Sequence, residues 1–122
     1  MDKKVGEGLL EGMKDALEHA KGKKFDSEKP DLSLLPKEPL WEIATVLTKG
    51  AVKYGRYNWM EGIEISRLLA ASMRHITQFN DGEDRDPELS TVHLANACCN
   101  LMFAMWMLQY RPDLDNRRKK NG

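Results

Sequence analysis

Two glutamates four residues apart, Glu38 and Glu42, are the first groups in this sequence suited to hold a divalent cation. On a helix such a pair is mutually repulsive unless a cation lies between the two carboxylates. The plain alternative is a solvated helix face. A denser set follows in DGEDRDPELS, where Asp81, Glu83, Asp84, Asp86 and Glu88 crowd together. That density fits either a solvated loop or a cation site. It is not the calcium loop of an EF-hand, which needs glycine at its sixth position and glutamate at its twelfth. The loop leads straight into His93. Arg67 and Arg74, one heptad apart, suit phosphate oxygens because guanidinium forks bind them bidentately, and they suit water as well. Lys24, Asp26 and Lys29 could reach a phosphate or a base, or be ordinary surface charges. Tyr54, Tyr57 and Trp59 could stack on a base or pin their loop to the core. His75 sits at the border of two helix faces, and His19 has no convergent neighbours.

The element that must position these groups is the stretch HLANACCNLMFAMWML, His93 to Leu108. It holds no glycine or proline and is apolar on nearly every side, which predicts a helix buried all round. His93, Asn96 and Asn100 fall on one stripe of it. A buried polar stripe must be hydrogen-bonded or bind something, so it is either interhelical bonding in a core or a polar site inside a bundle. A helix over Lys37–Tyr54 is predicted before it, with Pro39 tolerated in the first turn and Gly55 ending it. Leu40, Ile43, Ala44, Leu47, Ala51 and Tyr54 form its apolar face; Glu38, Glu42, Lys49 and Lys53 lie opposite. Another helix is predicted from Ser66, as N-cap, to Asn80, burying Leu68, Leu69, Ser72, Ile76 and Phe79.

The outer segments read differently. Leu9, Leu10, Met13, Leu17 and Ala20 recur at helical spacing, which makes residues 1–21 a helical arm, with Gly22 placed as its cap. From Gly22 to Pro36 two prolines and several turn formers give an extended connection. The expected organisation is this arm, a helical domain over 22–110 and a polar basic tail over 111–122. At 122 residues with zero formal net charge, the body is one domain, without global attraction to nucleic acid or anionic membrane. No apolar run is long enough for a signal peptide or a membrane span, so a cytoplasmic location is expected. Cys98 and Cys99 diverge on their helix, which excludes a bridge between them and fits two buried thiols in a reducing compartment; they lack zinc-site spacing. A short all-α chain with so apolar a central helix is expected to complete its core as a homo-oligomer, a dimer or tetramer.

Taken together, KKFDSEKPDLSLLP, LTKGAVKYGRYNW, SRLLAASMRHITQFNDGEDRDPE and HLANACCNLMF resemble the phage dATP/dGTP diphosphohydrolases (MazZ-like), small relatives of the MazG-like all-α nucleoside triphosphate pyrophosphatases. The resemblance covers about Gly22 to Leu108. It implies a small helical bundle that uses Mg²⁺ or Mn²⁺ to cut a purine deoxynucleoside triphosphate, dGTP or dATP, into monophosphate and pyrophosphate. In phages that replace adenine with 2-aminoadenine, such an enzyme supplies dGMP for the modified nucleotide. The motifs carry over to Lys24, Asp26 and Lys29; to Glu38 and Glu42; to Lys53, Tyr54, Gly55, Asn58 and Trp59; to Arg74 and His75; and to Gly82, Glu83, Asp84, Asp86, Glu88 and His93. Two departures stand out. The family often has a glycine between DPE and the histidine, and ELSTV here has none. MazG-like enzymes also carry a second carboxylate pair, ExxD, where this chain has the His93–Asn96–Asn100 stripe.

The implied mechanism makes Glu38 and Glu42 one metal-ligand pair, with Asp84 or Asp86 and His93 completing the site. Arg74, Lys53 and Lys29 neutralise phosphates, Asn58 and Trp59 contact the nucleoside, and His75 is a ligand, a base or a core histidine. The competing expectation is a non-catalytic helical oligomer that binds nucleotide, nucleic acid or a protein partner. A third is stepwise hydrolysis releasing orthophosphate.

Overall fold

The structure is a computed structural model of the chain and describes residues 8–14, 22–23 and 25–118. The expectations for Leu17, His19, Ala20, Lys24, Lys119 and Lys120 lie outside the described residues. The chain divides into two compact units, Met1–Leu32 and Ser33–Gly122. In the first, residues 8–14 are helical, and the Lys29 N–H donates to the Asp26 carbonyl at 3.0 Å in a turn.

The second unit carries three helices: α1 (Lys37–Tyr54), α2 (Ile65–Asn80) and α3 (His93–Tyr110). Short 3₁₀ turns occupy Leu32–Leu34, Asn58–Glu61 and Pro112–Leu114. The fold is all-α: the described residues hold no β-strand, only an isolated antiparallel bridge between Arg85 and Val92. α1 begins after extended Pro36 and ends at Gly55, whose φ of 95° is costly for any other residue. The Gly55 N–H closes the last turn by donating to the Ala51 carbonyl at 2.9 Å.

α3 is the central element, packing against both α1 and α2. The α2–α3 seam holds the core: Ile65, Leu68, Ala104 and Met107, with Trp59, Ile63, Leu69, Phe103, Trp106 and Leu114 packed around them. Burying a side chain such as Leu68 contributes about 1.5–3 kcal/mol, and truncating Met107 to alanine costs about 2–5 kcal/mol. Inside this seam Ser72 donates its hydroxyl to the Leu68 carbonyl (3.0 Å), with the Ala97 carbonyl of α3 at 3.3 Å. Across the other seam the Cys99 thiol donates to the Ile43 carbonyl of α1 at 3.6 Å.

Several expectations about faces are corrected. α3 is not buried all round within one chain: Leu94, Cys98, Leu101, Met105 and Leu108 are exposed, while His93, Ala95, Asn96, Ala97, Cys99, Ala104 and Met107 are buried. Among the described residues α1 and α2 are the helices that pack chiefly on it, which leaves part of its apolar circumference uncovered. Cys98 is consequently an exposed thiol, and only Cys99 is buried. α1 contains no fully buried residue, and Leu40, Ala44 and Tyr54 of its predicted inner face are exposed, because among the described residues α1 packs chiefly against α3. The buried stripe of α2 is Ile65, Leu68 and Ser72, with Ile76 and Phe79 exposed. Ser66 lies inside that helix; Glu64 is the cap position and makes no side-chain capping bond.

Candidate functional site

The acidic stretch is a folded turn. Gly82 takes φ of 104°. The Asp86 N–H donates to the Thr91 carbonyl and the Ser90 N–H to the Asp86 carbonyl, both at 2.8 Å. One Asp86 carboxylate oxygen accepts from the Leu89 N–H at 3.1 Å. Arg85 reaches the Ser90 carbonyl at 2.8 Å. The glycine expected before the histidine has a counterpart in Ser90, which adopts φ of 57°, a left-handed conformation that glycine accepts at no steric cost. The turn is tied to α3 by the His93 N–H, which donates to the Asp84 carbonyl at 3.0 Å. It is tied to α1 by Lys49, which donates to the Leu89 carbonyl at 2.7 Å, and by Lys53, which pairs with Glu88.

Carboxylates from two distant parts of the sequence meet around one groove. Glu38 and Glu42 of α1 and Asp84 of the turn line it together with Ile43, Phe79 and Cys98. Its volume is about 450 Å³, within the range of a small-molecule site. The Glu38–Glu42 pair falls in successive turns of α1 on the side that faces the acidic turn, so the i, i+4 spacing places both on the groove. The three carboxylates share the lining of this groove without their ligand atoms standing within reach of one ion, so a hard divalent cation such as Mg²⁺ or Mn²⁺, which takes carboxylate and water ligands, would draw their side chains together.

Asp86 and His93 belong to a different grouping. His93, at 0% exposure, places its Nδ1 2.9 Å from Nδ1 of His75 on α2. Its Nε2 lies 2.7 Å from Glu83 Oε1. Ligand atoms of His75, Asp86 and His93 all lie within 4.8 Å of one another. Burial holds the His75 imidazole below the ordinary histidine range; the neighbouring His93 and the Arg74 charge push the same way, and Asp86 opposes them. That direction favours the neutral imidazole, the form that ligates or accepts a proton.

A second groove of about 320 Å³ is lined by Arg67, Arg74, Asn100, Ile63, Leu68, Ala70 and Ala71. It brings the two arginines of α2 beside Asn100 of α3, donors matched to phosphate oxygens. Asn100 also donates to the Asn96 carbonyl at 3.0 Å. Asn96 itself is spoken for locally, donating to Thr91 Oγ1 at 2.7 Å and to the Val92 carbonyl at 2.9 Å. The stripe His93–Asn96–Asn100 thus divides: Asn96 makes core hydrogen bonds, and the outer two open onto separate sites.

Trp59 packs inward, its ring stacked on Phe103 at 4.6 Å and set edge-on to Trp106 at 5.1 Å. Neighbouring Asn58 is exposed in the same 3₁₀ turn. Asp26 and Lys29 belong to the first unit. Arg67, Asn100 and Cys98 are groove residues that sequence reasoning left out of the site. For Arg67 the signal was present in its heptad spacing from Arg74; for Cys98 there was none, since exposure depends on where α1 and α2 stop.

Comparison with known proteins places the chain in a family. The family described as dATP/dGTP diphosphohydrolase, N-terminal, matches residues 19–117. A dATP/dGTP diphosphohydrolase of Salmonella phage PMBT28 is 44% identical over 97 residues, covering 80% of this chain and 33% of the relative. The chain therefore spans about a third of the length of that relative. No solved structure matches the chain. With both clusters carried by motifs inside residues 19–117, the chain belongs to the dATP/dGTP diphosphohydrolase N-terminal family.

Proposed function

We propose that the protein hydrolyses purine deoxynucleoside triphosphates, dGTP or dATP, to the monophosphate and pyrophosphate, with Mg²⁺ or Mn²⁺, as part of phage nucleotide metabolism. The observation that carries this is that Glu38, Glu42 and Asp84, from distant parts of the sequence, line one apolar-walled groove. The name of the phage relative supports the substrate class. In the reaction water attacks the α-phosphorus, the bond from that phosphorus to the bridging oxygen of the β-phosphate breaks, and pyrophosphate leaves.

Glu38, Glu42 and Asp84 hold the divalent ion, which would supply neutralisation of phosphate charge and a more acidic water. Glu38 and Glu42 also stand ready to accept the proton of the attacking water. The apolar side chains of the groove take the base. Arg74 and Arg67 line the second groove and offer guanidinium groups to phosphate oxygens that reach it, and Lys53 adds positive charge beside the turn. His75, Asp86 and His93 hold the turn that carries Asp84. Asn58, exposed in the 3₁₀ turn before α2, contacts the nucleoside, while Trp59 anchors that turn on Phe103 and Trp106.

The working form is a homo-oligomer, dimer or tetramer. Beyond the groove, Leu101, Met105 and Leu108 follow at spacings of four and three along α3 and are all exposed, the pattern of a helix–helix seam. A second copy of the chain covers it. Among the described residues no helix is long and apolar enough to cross a membrane.

The test is product analysis. Purified protein is incubated with each dNTP and NTP, with Mg²⁺, Mn²⁺ or EDTA, and monophosphate, pyrophosphate and orthophosphate are resolved. Metal-dependent dGMP or dAMP with pyrophosphate is expected. Orthophosphate with a diphosphate product moves the reaction to another hydrolase class. No turnover by folded protein replaces the enzyme with a nucleotide-binding module.

A further inference from the structure

We infer that His75, Asp86 and His93 form a second metal site, selective for a transition-metal dication of the Zn²⁺ or Co²⁺ type over Mg²⁺, which staples the acidic turn to α2 and α3. The inference is separate from the carboxylate groove and needs no nucleotide.

The donor geometry carries it. The two Nδ1 atoms lie 2.9 Å apart. Two nitrogens bound to one ion at about 2.0–2.1 Å stand roughly 2.9 Å apart when the angle between the bonds is near 90°. A carboxylate oxygen of Asp86 and one ring nitrogen of each histidine lie within 4.8 Å of one another. Donors in a tetrahedral site stand about 3.3 Å apart, so at most ~1.5 Å of side-chain adjustment closes the set.

The tautomers agree with ligation. Glu83 Oε1 sits 2.7 Å from His93 Nε2. A carboxylate there accepts the Nε2–H, which leaves Nδ1 of neutral His93 as a bare lone pair aimed at His75. Carboxylate–histidine–metal triads are built this way, the outer carboxylate fixing ring orientation and raising ligand basicity. Without metal, His75 Nδ1–H donates to His93 Nδ1. On binding, His75 moves that proton to its own Nε2 through solvent, and the ion takes its place between the two rings. Asp86 is oriented by its bond from the Leu89 N–H.

Ligand type sets the selectivity. Two imidazoles and one carboxylate suit Zn²⁺, Co²⁺ or Ni²⁺, whereas Mg²⁺ demands oxygen ligands and gives up water reluctantly. The three ligands come from α2, the turn and α3. An ion there fixes the turn whose Asp84 carbonyl already accepts from the His93 N–H.

The test uses the full chain stripped with EDTA and titrated with Co²⁺. One equivalent is expected to produce visible d–d absorption, which Zn²⁺ abolishes and a large excess of Mg²⁺ does not. Saturating Zn²⁺ is expected to raise the Tm by on the order of 5–10 °C. His75→Gln and Asp86→Asn are expected to lose both signals while keeping helical circular dichroism; Asp86→Asn retains an acceptor for the Leu89 N–H. Glu42→Gln, in the other groove, should retain them. Absent d–d bands in the wild type, their bleaching by Mg²⁺, or their persistence in either folded His75 or Asp86 variant overturns the inference. None of these readouts depends on nucleotide turnover.

Discussion

Asn116 closes the first turn of α2 through Ser66. Its Oδ1 accepts the Ser66 N–H at 2.9 Å while its Nδ2 donates to Glu64 Oε2 at 2.6 Å. The helix has no cap of its own, so a residue fifty positions downstream satisfies one of its orphan donors. Asn116→Ala should therefore lower unfolding free energy by about 1 kcal/mol, the usual cost of a lost cap. Urea denaturation of wild type and variant measures it, and an unchanged midpoint would remove the cap.

Ser90 carries left-handed backbone without being glycine. Ser90→Gly should leave stability unchanged or raise it by up to about 1 kcal/mol, relief of strain being offset by greater freedom of the unfolded chain. Ser90→Val, β-branched, should lower it by about 1–2 kcal/mol. Thermal unfolding of the pair reads the difference, and equal midpoints would mean that the turn tolerates either.

The two adjacent cysteines should behave oppositely towards alkylation. Burial pushes the Cys99 thiol up to about 12, with Cys98 adding to the effect. A raised thiol pKa leaves the reactive thiolate scarce below it: at pH 9 roughly one in a thousand. Iodoacetamide on native protein at pH 8–9 should label Cys98 and spare Cys99, with mass spectrometry of peptides as readout. Because Cys98 lines the groove of Glu38 and Glu42, labelling should also inhibit turnover, and bound nucleotide should slow it.

Glu42→Gln keeps the size of the side chain and removes a charged ligand. Metal-dependent turnover should fall on the order of 100-fold, with unfolding midpoint little changed. Full activity would take Glu42 out of the site.

The exposed seam of α3 should be the contact between copies. Met105, 63% exposed, offers the sharpest test. Met105→Glu should shift the protein to monomer in light scattering after size exclusion, since a charge cannot be buried unpaired in such a seam. A wild type that is already monomeric would remove the oligomer.

The sequence carried the helices well and the faces less well. α1 was legible end to end, because Pro36, Pro39 and Gly55 mark its limits locally. The start of α3 was legible at His93 because the unbroken apolar run opens there. Which arc of α3 lies against a neighbour was not, because apolar residues on every side give no phase to read. Ser66 looked like a cap because it is a serine before an apolar run; the true acceptor, Asn116, is distant in sequence. The carboxylate groove was half visible: Glu38, Glu42 and Asp84 could each be named, but not separated from Asp86 and His93. One signal was present and unused. Ile65, Leu68, Ser72 and His75 follow spacings of three, four and three, which places His75 on the buried stripe of α2 rather than at its border.

The sparse packing of α1 has a consequence for how the molecule breathes. A helix with no fully buried residue opens at lower free energy than one anchored in the core, so its amides should exchange with solvent well ahead of those of α3. Glu38 and Glu42 ride on that least-anchored helix, while Asp84 rides on a turn bonded to the most anchored one. Any ligand gripping both sides must first suppress this opening, so occupancy of the groove would be written across the whole length of α1 as slowed hydrogen exchange.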